Sequence, residues 1–446
     1  MQTEIVPLIE RLKLMPQMRG RLAQVPIALD VGDQEDHTGY GPRTLAVSGQ
    51  HNKPLVHFVA NCMYGEHVAG GDIHFFNMAQ ATIETGHPLH FFGGHALQAS
   101  IYRVPTAKKP SLTLTDSQMA GGITGSLRGQ FRLLRDYFGR FMRTLSRLKE
   151  IRREDIIYAV TDYWFDTWPM MLSRARRKLM ILGTDAPTIA EIVFRKRPDV
   201  TRTRLNSIYY WLSQNLSLRL FRWCRNKRLL YVHPSMKPRL LALGYREEEL
   251  IFISNGVDLE TVKKVPAQEK VYDVVWIGRV HQQKGIDDLL NTLSYLRQMI
   301  PNFRAVLIGK LEAELRPRIE AEGLSDCVTF AGLVSEAEKF RLFKASRVFL
   351  MPSRFESWGI VIGEALACGL PVVAYELEAY RPIFGSLVRY VQPFDFEAFK
   401  ILASKTVLEA RARNASLEGE ELSQLKAEHS WLVARERFRR TLEAMS

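Results

Sequence analysis

The sequence predicts an α/β protein built from two Rossmann-like, doubly wound parallel-sheet domains with a cleft between them. Three observations indicate this fold class. Short apolar runs of the kind that form buried strands alternate with helix-like stretches along most of the chain. At 446 residues the chain is long for one domain and comfortable for two. The polar stretch 263–270, which contains Pro266, separates two such series and is the best candidate for a linker.

The first series follows an irregular stretch. Residues 1–52 have weak periodicity and several prolines, so we predict an N-terminal extension there and assign it no function. Strands are then predicted at 55–62, 87–92, 112–115, 156–161, 179–183, 229–233 and 250–254. Helices are predicted at 73–85, 125–150, between 161 and 179, at 205–228 and in a short stretch that ends at 243. Together these elements form a predicted N-terminal domain at 53–265.

The second series repeats the alternation. Strands are predicted at 271–277, 304–308, 328–330, 348–351, 372–374 and 388–391, with helices between most of them. The stretch 418–445 is helical by pattern. We therefore predict a C-terminal domain at 266–425 and a closing helix at 426–446.

Composition and charge narrow the functional classes. The formal net charge is +13, and residues 101–250 alone carry a balance of +16, so the basic excess is local and indicates an anionic partner. The apolar runs are short and interrupted by charge, and the first residues lack the pattern of a signal peptide, so we expect no membrane-spanning helix and no leader. The four scattered cysteines have neither metal nor redox spacing, which favours a cytoplasmic setting.

Two predicted helices carry most of this basic excess. In the first, an apolar stripe runs from Leu127 to Leu148; such a stripe usually packs on the protein's own sheet. The surrounding arginines indicate a partner, and near an anionic membrane each basic residue is worth about 1 kcal/mol. We predict peripheral binding to the inner face of the cytoplasmic membrane, and no nucleic-acid partner, because no nucleic-acid motif is evident. The predicted contact residues are Arg128, Arg132, Arg135, Arg140, Arg143, Arg147, Arg219, Arg222 and Arg225.

Two carboxylates, Glu356 and Glu364, follow the predicted strand at 348–351. Glu356 lies in a loop, and a helix predicted to open at about Gly359 carries Glu364. The carboxyl end of a buried strand is where open α/β sheets bind ligands, and the free N–H groups of a helix start favour phosphate. Carboxylates can bind sugar hydroxyl groups, and a helix start can bind phosphate. Their occurrence side by side indicates a nucleotide-sugar ligand.

Two further motifs suit a phosphate ligand. Gly278-Arg279 and Lys284-Gly285 follow the strand at 271–277; the glycine permits a close turn, and both cations can reach a diphosphate. Near the start of the chain, Gly70 and Gly71 form a glycine-rich loop before the first helix, which is a second place for a phosphate. Neither a Gly-x-Gly-x-x-Gly pattern nor a P-loop is present.

In their order and spacing, these motifs resemble those of retaining glycosyltransferases with the GT-B fold, specifically glycosyltransferase family 4, the group 1 glycosyl transferases. The likeness extends from Val56 to the C-terminus and is strongest from Asn255 onward. It includes the ending Glu-Ala-Leu-Ala-x-Gly-x-Pro-Val-Val at 364–373, Gly86-His87 after the first helix, and Trp431 in a closing segment that returns to the N-terminal domain.

The resemblance implies a role for each matching residue. Arg279 and Lys284, with Gly278 at the turn, would bind the donor diphosphate; Glu364 would hold the ribose; Glu356 would contact the sugar hydroxyls. Backbone amides would complete the phosphate site at Gly70, Gly71, Gly359, Ile360 and Val361. The resemblance also implies that no metal or other cofactor is needed, that a hexose is transferred with retention, and that the transition state has oxocarbenium character.

The acceptor side departs from the family pattern. Many members carry a histidine at a strand end in the N-terminal domain, whereas the comparable strand ends here carry Asp162 and Asp185. Either of them is a candidate catalytic residue, and an aspartate after a strand is also a common helix cap. We expect a lipid-linked or membrane-proximal acceptor. A soluble small-molecule acceptor, a non-catalytic scaffold of the same fold, and a dinucleotide-dependent oxidoreductase remain the alternatives.

Overall fold

The predicted fold class is confirmed by a computed structural model of the protein, in which residues 53–62, 70–101, 110–116, 127–194, 204–413 and 419–446 are described. These residues form two separate sheets, and every strand pairing within them is parallel. The predicted extension at 1–52 lies outside the described residues.

The first sheet belongs to the N-terminal half. Its strands are β1 (Val56–Ala60), β2 (Leu89–Gly93), β3 (Ser111–Leu114), β4 (Ile156–Ala159), β5 (Arg177–Leu182), β6 (Lys227–Tyr231) and β7 (Leu250–Phe252). The helices of this half are α1 (Gly70–Glu84), α2 (His95–Ile101), α3 (Leu127–Arg147), α4 (Trp164–Leu172), α5 (Ile189–Phe194), α6 (Arg204–Phe221) and α7 (Met236–Ala242). The strand order is β3-β2-β1-β4-β5-β6-β7, so the winding direction reverses between β1 and β4.

The second sheet belongs to the C-terminal half, which begins with helix α8 (Leu259–Lys264). Its strands are β8 (Tyr272–Ile277), β9 (Ala305–Ile308), β10 (Val328–Gly332), β11 (Ser346–Met351), β12 (Val372–Tyr375) and β13 (Val388–Val391). The other helices are α9 (Ile286–Met299), α10 (Glu312–Ala321), α11 (Glu336–Lys344), α12 (Ile360–Ala367), α13 (Arg381–Phe384), α14 (Phe396–Arg413), α15 (Glu420–Glu428) and α16 (Trp431–Met445). Here the winding reverses between β8 and β11.

Both sheets are covered on two faces, which explains why their strands read as continuous apolar runs. All five residues of β1 are buried. On one face Phe58 contacts Phe75 of α1 and Phe438 of α16, with ring centroids 5.9 and 6.3 Å apart. The last helix of the chain therefore packs in the core of the first sheet, together with Tyr158 of β4.

The structure differs from the predicted elements at several points. The helix predicted at 205–228 ends at Phe221, because Asn226 has a left-handed backbone (φ 45°) and β6 begins at Lys227. Gly70 and Gly71 were predicted in a loop but form the first turn of α1. Helices α2 and α5 were not predicted; both are short, and short segments give weak periodicity.

The two halves are joined by chain segments that cross each other. The N–H of Val257 donates to the carbonyl of His429 (3.0 Å), and the N–H of Trp431 donates to the carbonyl of Val257 (3.2 Å). Gly256 lies at this crossing, and a Cβ atom on it would come within 2.4 Å of the backbone of Ser430 and Trp431. The crossing therefore requires a residue without a side chain at position 256.

We predict that Gly256→Ala lowers the free energy of unfolding by about 3 kcal/mol, because the added methyl group meets backbone atoms that cannot rotate away. Urea unfolding followed by tryptophan fluorescence measures the change. Gly183→Ala is the matched control, since a Cβ there meets no atom within 4 Å. Equal stability of the two variants would contradict the requirement at position 256.

Two histidines beside the crossing make stability depend on pH. His74 lies 3.0 Å from the side-chain oxygen of Asn255, and Nδ1 of His429 lies 2.9 Å from the hydroxyl of Ser254. Burial lowers the pKa of each histidine to about 4. Both are therefore neutral in the folded protein at pH 5, where the same groups take up protons in the unfolded chain.

We predict that His74 and His429 each lower the free energy of unfolding as the pH drops from about 6.5 towards 4, because in that range these two groups gain protons in the unfolded chain and not in the folded protein. At pH 5 His74 alone accounts for a loss of up to about 2 kcal/mol. Urea unfolding of the unsubstituted protein and of His74→Gln at pH 7 and pH 5 measures this loss as the difference between their pH dependences. His74→Gln should have a weaker pH dependence than the unsubstituted protein, and an identical dependence would exclude His74 as a source.

Candidate active site

The predicted donor motifs lie where the second sheet reverses its winding direction. The loop 278–285 follows β8, the loop 352–359 follows β11, and these two strands are hydrogen-bonded neighbours. Because both strands are parallel, the two loops emerge at the same edge of the sheet. A crevice at such a reversal is the usual ligand site of open α/β sheets.

Backbone contacts tie the two loops together. The N–H of Arg354 donates to the carbonyl of Gln283 (2.8 Å), and the side chain of Gln283 donates to the carbonyl of Phe355 (3.0 Å). Gly285 has a left-handed backbone (φ 63°), and a Cβ there would come within 2.0 Å of the carbonyl oxygen of Pro352. This glycine permits the close approach that places the cation motif beside the glutamate motif.

Lys284 and Glu356 are in direct contact. Nζ of Lys284 lies 2.5 Å from Oε1 of Glu356, and the side chains are 18% and 15% exposed. The other predicted cation, Arg279, is exposed, and the described residues provide no hydrogen-bond or ion-pair partner for it. The structure thus brings together one cation and one carboxylate of the predicted site and leaves a second cation at its rim.

Glycine also shapes the start of α12. Gly359 has a left-handed backbone (φ 81°), and a Cβ there would come within 2.9 Å of the ring of Tyr380. The next residues, Ile360 and Val361, form the first turn, whose N–H groups have no partner within the helix. This helix start is therefore a suitable place for an anion.

The start of α1 lies against the start of α12. A Cβ on Gly70 would come within 3.1 Å of Cδ1 of Ile360, whereas a Cβ on Gly71 would meet no atom within 4 Å. Two helix N-termini, one from each half of the chain, thus approach each other at the glycine positions. Both present unpaired N–H groups to the same region.

The second glutamate of the motif is buried. Oε1 of Glu364 lies 2.7 Å from Nζ of Lys339, whereas Oε2 is inaccessible and has no hydrogen-bond partner among the described residues. Burial raises the pKa of Glu364, and the charge of Lys339 opposes that rise. The indole N–H of Trp358 and the hydroxyl of Tyr380 are likewise buried without partners. Buried polar atoms are rarely left unpaired, so Oε2 of Glu364 retains the capacity to accept a hydrogen bond.

The two acidic candidates of the N-terminal half occupy different surroundings. Oδ2 of Asp162 accepts hydrogen bonds from Gln214 (2.6 Å) and Tyr210 (3.2 Å), and burial raises the pKa of this carboxyl to about 6. Asp185 forms an ion pair with Arg239. Both follow strands at the carboxyl edge of the first sheet, after β4 and β5.

The sequence did not reveal one buried acid at this edge. Asp166, in the first turn of α4, accepts the N–H of Asn61 (2.7 Å) and the hydroxyl of Thr161 (2.5 Å). Burial raises its pKa to about 7. An acid in the first turn of a helix is common, so the sequence offers no signal that separates this residue from an ordinary helix-start aspartate.

His233 connects the two halves of the chain. Its Nδ1 accepts the N–H of Ser235 (3.1 Å), so Nε2 carries the proton and donates to the carbonyl of Ala379 (2.8 Å). Burial lowers the pKa of His233, which favours this neutral form. The contact lies after β6 in one half and after β12 in the other, so it spans the cleft at the carboxyl ends of both sheets.

One predicted membrane contact is wrong. Arg140 is buried and its guanidinium donates to the carbonyl of Asn61 (2.9 Å) and to Asp136 (2.9 Å). It lies on the face of α3 that packs on the protein, where the backbone and acidic partners satisfy it. The side chain of Arg128 lies outside the described residues, and the other predicted arginines are exposed: Arg132, Arg135, Arg143, Arg147, Arg219, Arg222 and Arg225.

The same two helices expose apolar side chains. Phe131 is 73% exposed, so much of the stripe on α3 does not pack on the sheet. Helix α6 buries polar side chains on one face, namely Ser213, Gln214 and Ser217, and exposes three of its leucines on another. We call the exposed apolar residues the α3/α6 surface; they are Phe131, Leu134, Phe138 and Met142 of α3 and Ile208, Leu212, Leu216 and Leu220 of α6.

The α3/α6 surface belongs to one layer of helices. Phe141 of α3 packs on Trp164 of α4, with ring centroids 5.0 Å apart. The indole N–H of Trp168, also on α4, donates to the hydroxyl of Ser217 on α6 (3.2 Å). In the described parts of the chain, no helix is both long and apolar enough to cross a membrane.

Sequence comparison finds a family match within the C-terminal half. Residues 258–407 match the family described as Glycosyl transferases group 1. Phosphatidyl-myo-inositol mannosyltransferase of Mycobacterium tuberculosis (strain ATCC 25618 / H37Rv) is 32% identical over 170 residues, 35% of this chain and 43% of that protein. Mannosylfructose-phosphate synthase of Agrobacterium fabrum is 28% identical over 174 residues, 36% of this chain and 38% of that protein. The chain thus spans about two fifths of the length of these curated relatives.

Solved structures extend the likeness to the whole fold. Alr3699/HepE of Anabaena, solved with UDP and glucose, has a TM-score of 0.61 at 17% identity and covers 88% of this chain and 100% of its own. WaaG, a glycosyltransferase involved in lipopolysaccharide biosynthesis, has a TM-score of 0.57 at 15% identity, with coverages of 87% and 95%. The resemblance inferred from the motifs is confirmed to this extent: residues 258–407 match the group 1 glycosyl transferases, within a chain that has the GT-B fold.

Proposed function

We propose that the protein is a retaining glycosyltransferase that moves a hexose from a nucleotide-sugar to an acceptor. The observation that carries the proposal is the contact of Lys284 with Glu356 at the reversal of the second sheet, beside the start of α12. A cation, a carboxylate and a helix N-terminus at one strand edge fit a diphosphate joined to a hydroxyl-rich sugar. The mannosyltransferase names among the relatives support a hexose donor.

Each residue takes the role that its surroundings favour. Arg279 and Lys284 bind the diphosphate, and the amides at Gly71 and at Gly359, Ile360 and Val361 complete the phosphate site. Glu356 contacts the sugar hydroxyls. Glu364, with its unpaired buried oxygen, accepts hydrogen bonds from the ribose.

In the proposed reaction the bond between the anomeric carbon and the phosphate oxygen breaks first, giving oxocarbenium character at the sugar. The acceptor oxygen bonds to the same face of the sugar, and its proton passes to the leaving phosphate. We propose that no metal is required, because Arg279 and Lys284 supply the positive charge that stabilises the leaving diphosphate. Asp162 and Asp166 are candidates for orienting the acceptor, since burial brings their pKa values to about 6 and about 7.

We propose an acceptor at or near an anionic membrane. The α3/α6 surface supports this, because exposed apolar rows flanked by arginines are typical of helices that lie in a membrane interface. A second copy of this chain would bring two strongly basic surfaces together, which like-charge repulsion opposes. On this proposal the protein is cytoplasmic and binds peripherally to the inner face of the membrane.

A soluble small-molecule acceptor is the second candidate. The similarity to mannosylfructose-phosphate synthase favours it, since that name describes a soluble product. A non-catalytic scaffold of the same fold is the remaining alternative. Assays with a donor panel and both acceptor types separate the three, because a scaffold releases no nucleoside diphosphate with any of them.

We predict that Arg279→Ala and Lys284→Ala each lower turnover by about 10²–10³-fold, because each removes a cation that stabilises the leaving diphosphate. The donor is first identified by thermal stabilisation with a panel of UDP-, GDP- and ADP-sugars. Release of nucleoside diphosphate then measures turnover, and NMR of the product reports the anomeric configuration.

Lys405→Ala is the control for this experiment, since Lys405 is an exposed cation on α14, away from the loops 278–285 and 352–359. It should turn over at the unsubstituted rate. Near-normal turnover of both site variants would refute the assignment of the diphosphate site, and an inverted product would refute retention.

We also predict salt-sensitive binding to anionic vesicles through the α3/α6 surface. The double variant Leu212→Ser/Leu216→Ser should bind phosphatidylglycerol vesicles at least about tenfold more weakly, because two exposed leucines no longer enter the apolar interface. Vesicle co-sedimentation at low and high salt measures this binding.

The matched control is Met299→Ser/Leu333→Ser, which replaces two exposed apolar residues in the C-terminal half. This control should bind vesicles like the unsubstituted protein. Equal partition of the unsubstituted protein to neutral and anionic vesicles would reject a basic membrane surface, and self-association lost in the Leu212/Leu216 variant would assign the surface to a second copy.

A further inference from the structure

Lys339 is a buried cation whose partners are both acidic. It lies on α11, and its ammonium group is 2.7 Å from Oε1 of Glu364 and 2.8 Å from Oε2 of Glu336. Its side chain is 6% exposed, against 3% for Glu364 and 55% for Glu336. The contact with Glu364 is thus an interior ion pair, and the contact with Glu336 anchors the lysine from the surface.

Such a pair is costly to bury unless each charge is well satisfied. Removing a carboxylate or an ammonium group from water costs several kcal/mol, and the attraction between the two offsets this only when the geometry is good. Lys339 has two acidic partners and lies 4.8 Å from the ring centre of Phe340. The lysine is therefore well satisfied, whereas its partner is not.

Glu364 has fewer hydrogen-bond partners than its carboxylate can accept. The lysine occupies one carboxylate oxygen, and the other is buried without a hydrogen-bond partner among the described residues. An unpaired buried acceptor on a charged group is unfavourable. A ligand that brings hydroxyl donors to this oxygen would remove that cost, and Glu364 lies on α12, the helix whose start faces the proposed phosphate site.

We propose that Lys339 is a positioning residue for the nucleotide: it holds Glu364 by one oxygen and thereby presents the other to the ribose hydroxyls. The inference rests on the proposed function, in which Glu364 binds the ribose. Lys339 itself is not assigned to the phosphate, because its two acidic partners already engage its ammonium group.

The lysine also favours the charged form of the carboxylate. Burial alone favours the protonated acid, and the charge of Lys339 opposes it. A charged acceptor binds a hydroxyl group more strongly than a neutral acid does. Loss of Lys339 should therefore weaken the part of the affinity that depends on the ribose hydroxyls and leave the diphosphate part intact.

The test compares two ligands that differ only in those hydroxyls. Of UDP, GDP and ADP, the nucleotide that binds most tightly is titrated calorimetrically beside its 2′,3′-dideoxy counterpart. The unsubstituted protein should prefer the ribonucleotide by about tenfold or more, which corresponds to a hydrogen bond with a charged group. In Lys339→Met the preference should fall to near unity, with unchanged affinity for the dideoxy ligand.

Three further variants complete the design. Lys339→Arg restores the charge and should restore the preference. Lys344→Met is the matched control, because Lys344 lies on the same helix and donates to the carbonyls of Val262 and Val265; it should keep the full preference. Adding Lys339→Met to Glu364→Gln should cause no further change in the preference for the ribonucleotide. If Lys339→Met alone does not fold, the comparison of Glu364→Gln with the double variant takes its place.

The outcomes are distinguishable. If Lys339→Met weakens both ligands equally, or leaves the preference unchanged while Glu364→Gln abolishes it, the positioning role is overturned and the role of Glu364 stands. If the unsubstituted protein has no preference for the ribonucleotide, both the role of Lys339 and the proposed ribose contact of Glu364 are overturned. Loss of preference in Lys339→Met alone, with rescue by arginine, supports the inference.

Discussion

The crossing of the two connecting segments at Gly256 is the constraint on which the rest of the site depends. One segment leaves the first sheet after β7, and the other returns before α16, and they are hydrogen-bonded through Val257. Next to the crossing, Asn255 contacts His74 of α1. On the other side, a Cβ on Gly363 of α12 would come within 3.0 Å of Val257. The crossing thus touches both helices whose starts face each other at Gly70 and Ile360, so a shift there moves both halves of the proposed phosphate site.

The last helix extends this dependence to the core. Phe438 of α16 contacts Phe58 and Tyr158, two central residues of the first sheet. Trp431 at its start lies against His74, with ring centroids 6.0 Å apart. The helix that completes the first core, α16, therefore follows the whole second sheet along the chain. This arrangement favours late consolidation of the N-terminal half, because long-range contacts carry the larger entropy cost of loop closure.

The sequence alone predicted much of the fold and less of the site. Strand positions were predictable because buried parallel strands are apolar on both faces, as in β1. Whether a given residue of a helix is buried or exposed was harder to predict. Arg140 and Arg143 are both arginines of α3, yet one is buried on the carbonyl of Asn61 and the other is exposed. In α6 the inward face is partly polar, because Gln214 and its neighbours satisfy buried groups such as Asp162. Amphipathic patterns identify a helix, whereas the partner surface decides which face turns inward.

The two glutamates of the motif each have a lysine partner, and the difference between the two pairs bears on how a donor would enter. The Lys284–Glu356 pair is partly exposed, at 18% and 15%, so its two charges cost less to separate than those of a fully buried pair. An incoming diphosphate carries more negative charge than one carboxylate and therefore competes well for Lys284. The Lys339–Glu364 pair is almost fully buried, and breaking it would leave an uncompensated charge in the interior. In the proposed roles, the first pair opens to bind phosphate and sugar, while the second stays closed and offers its free oxygen to the ribose. One sequence motif thus supplies an exchangeable contact and a fixed one, and burial is what distinguishes them.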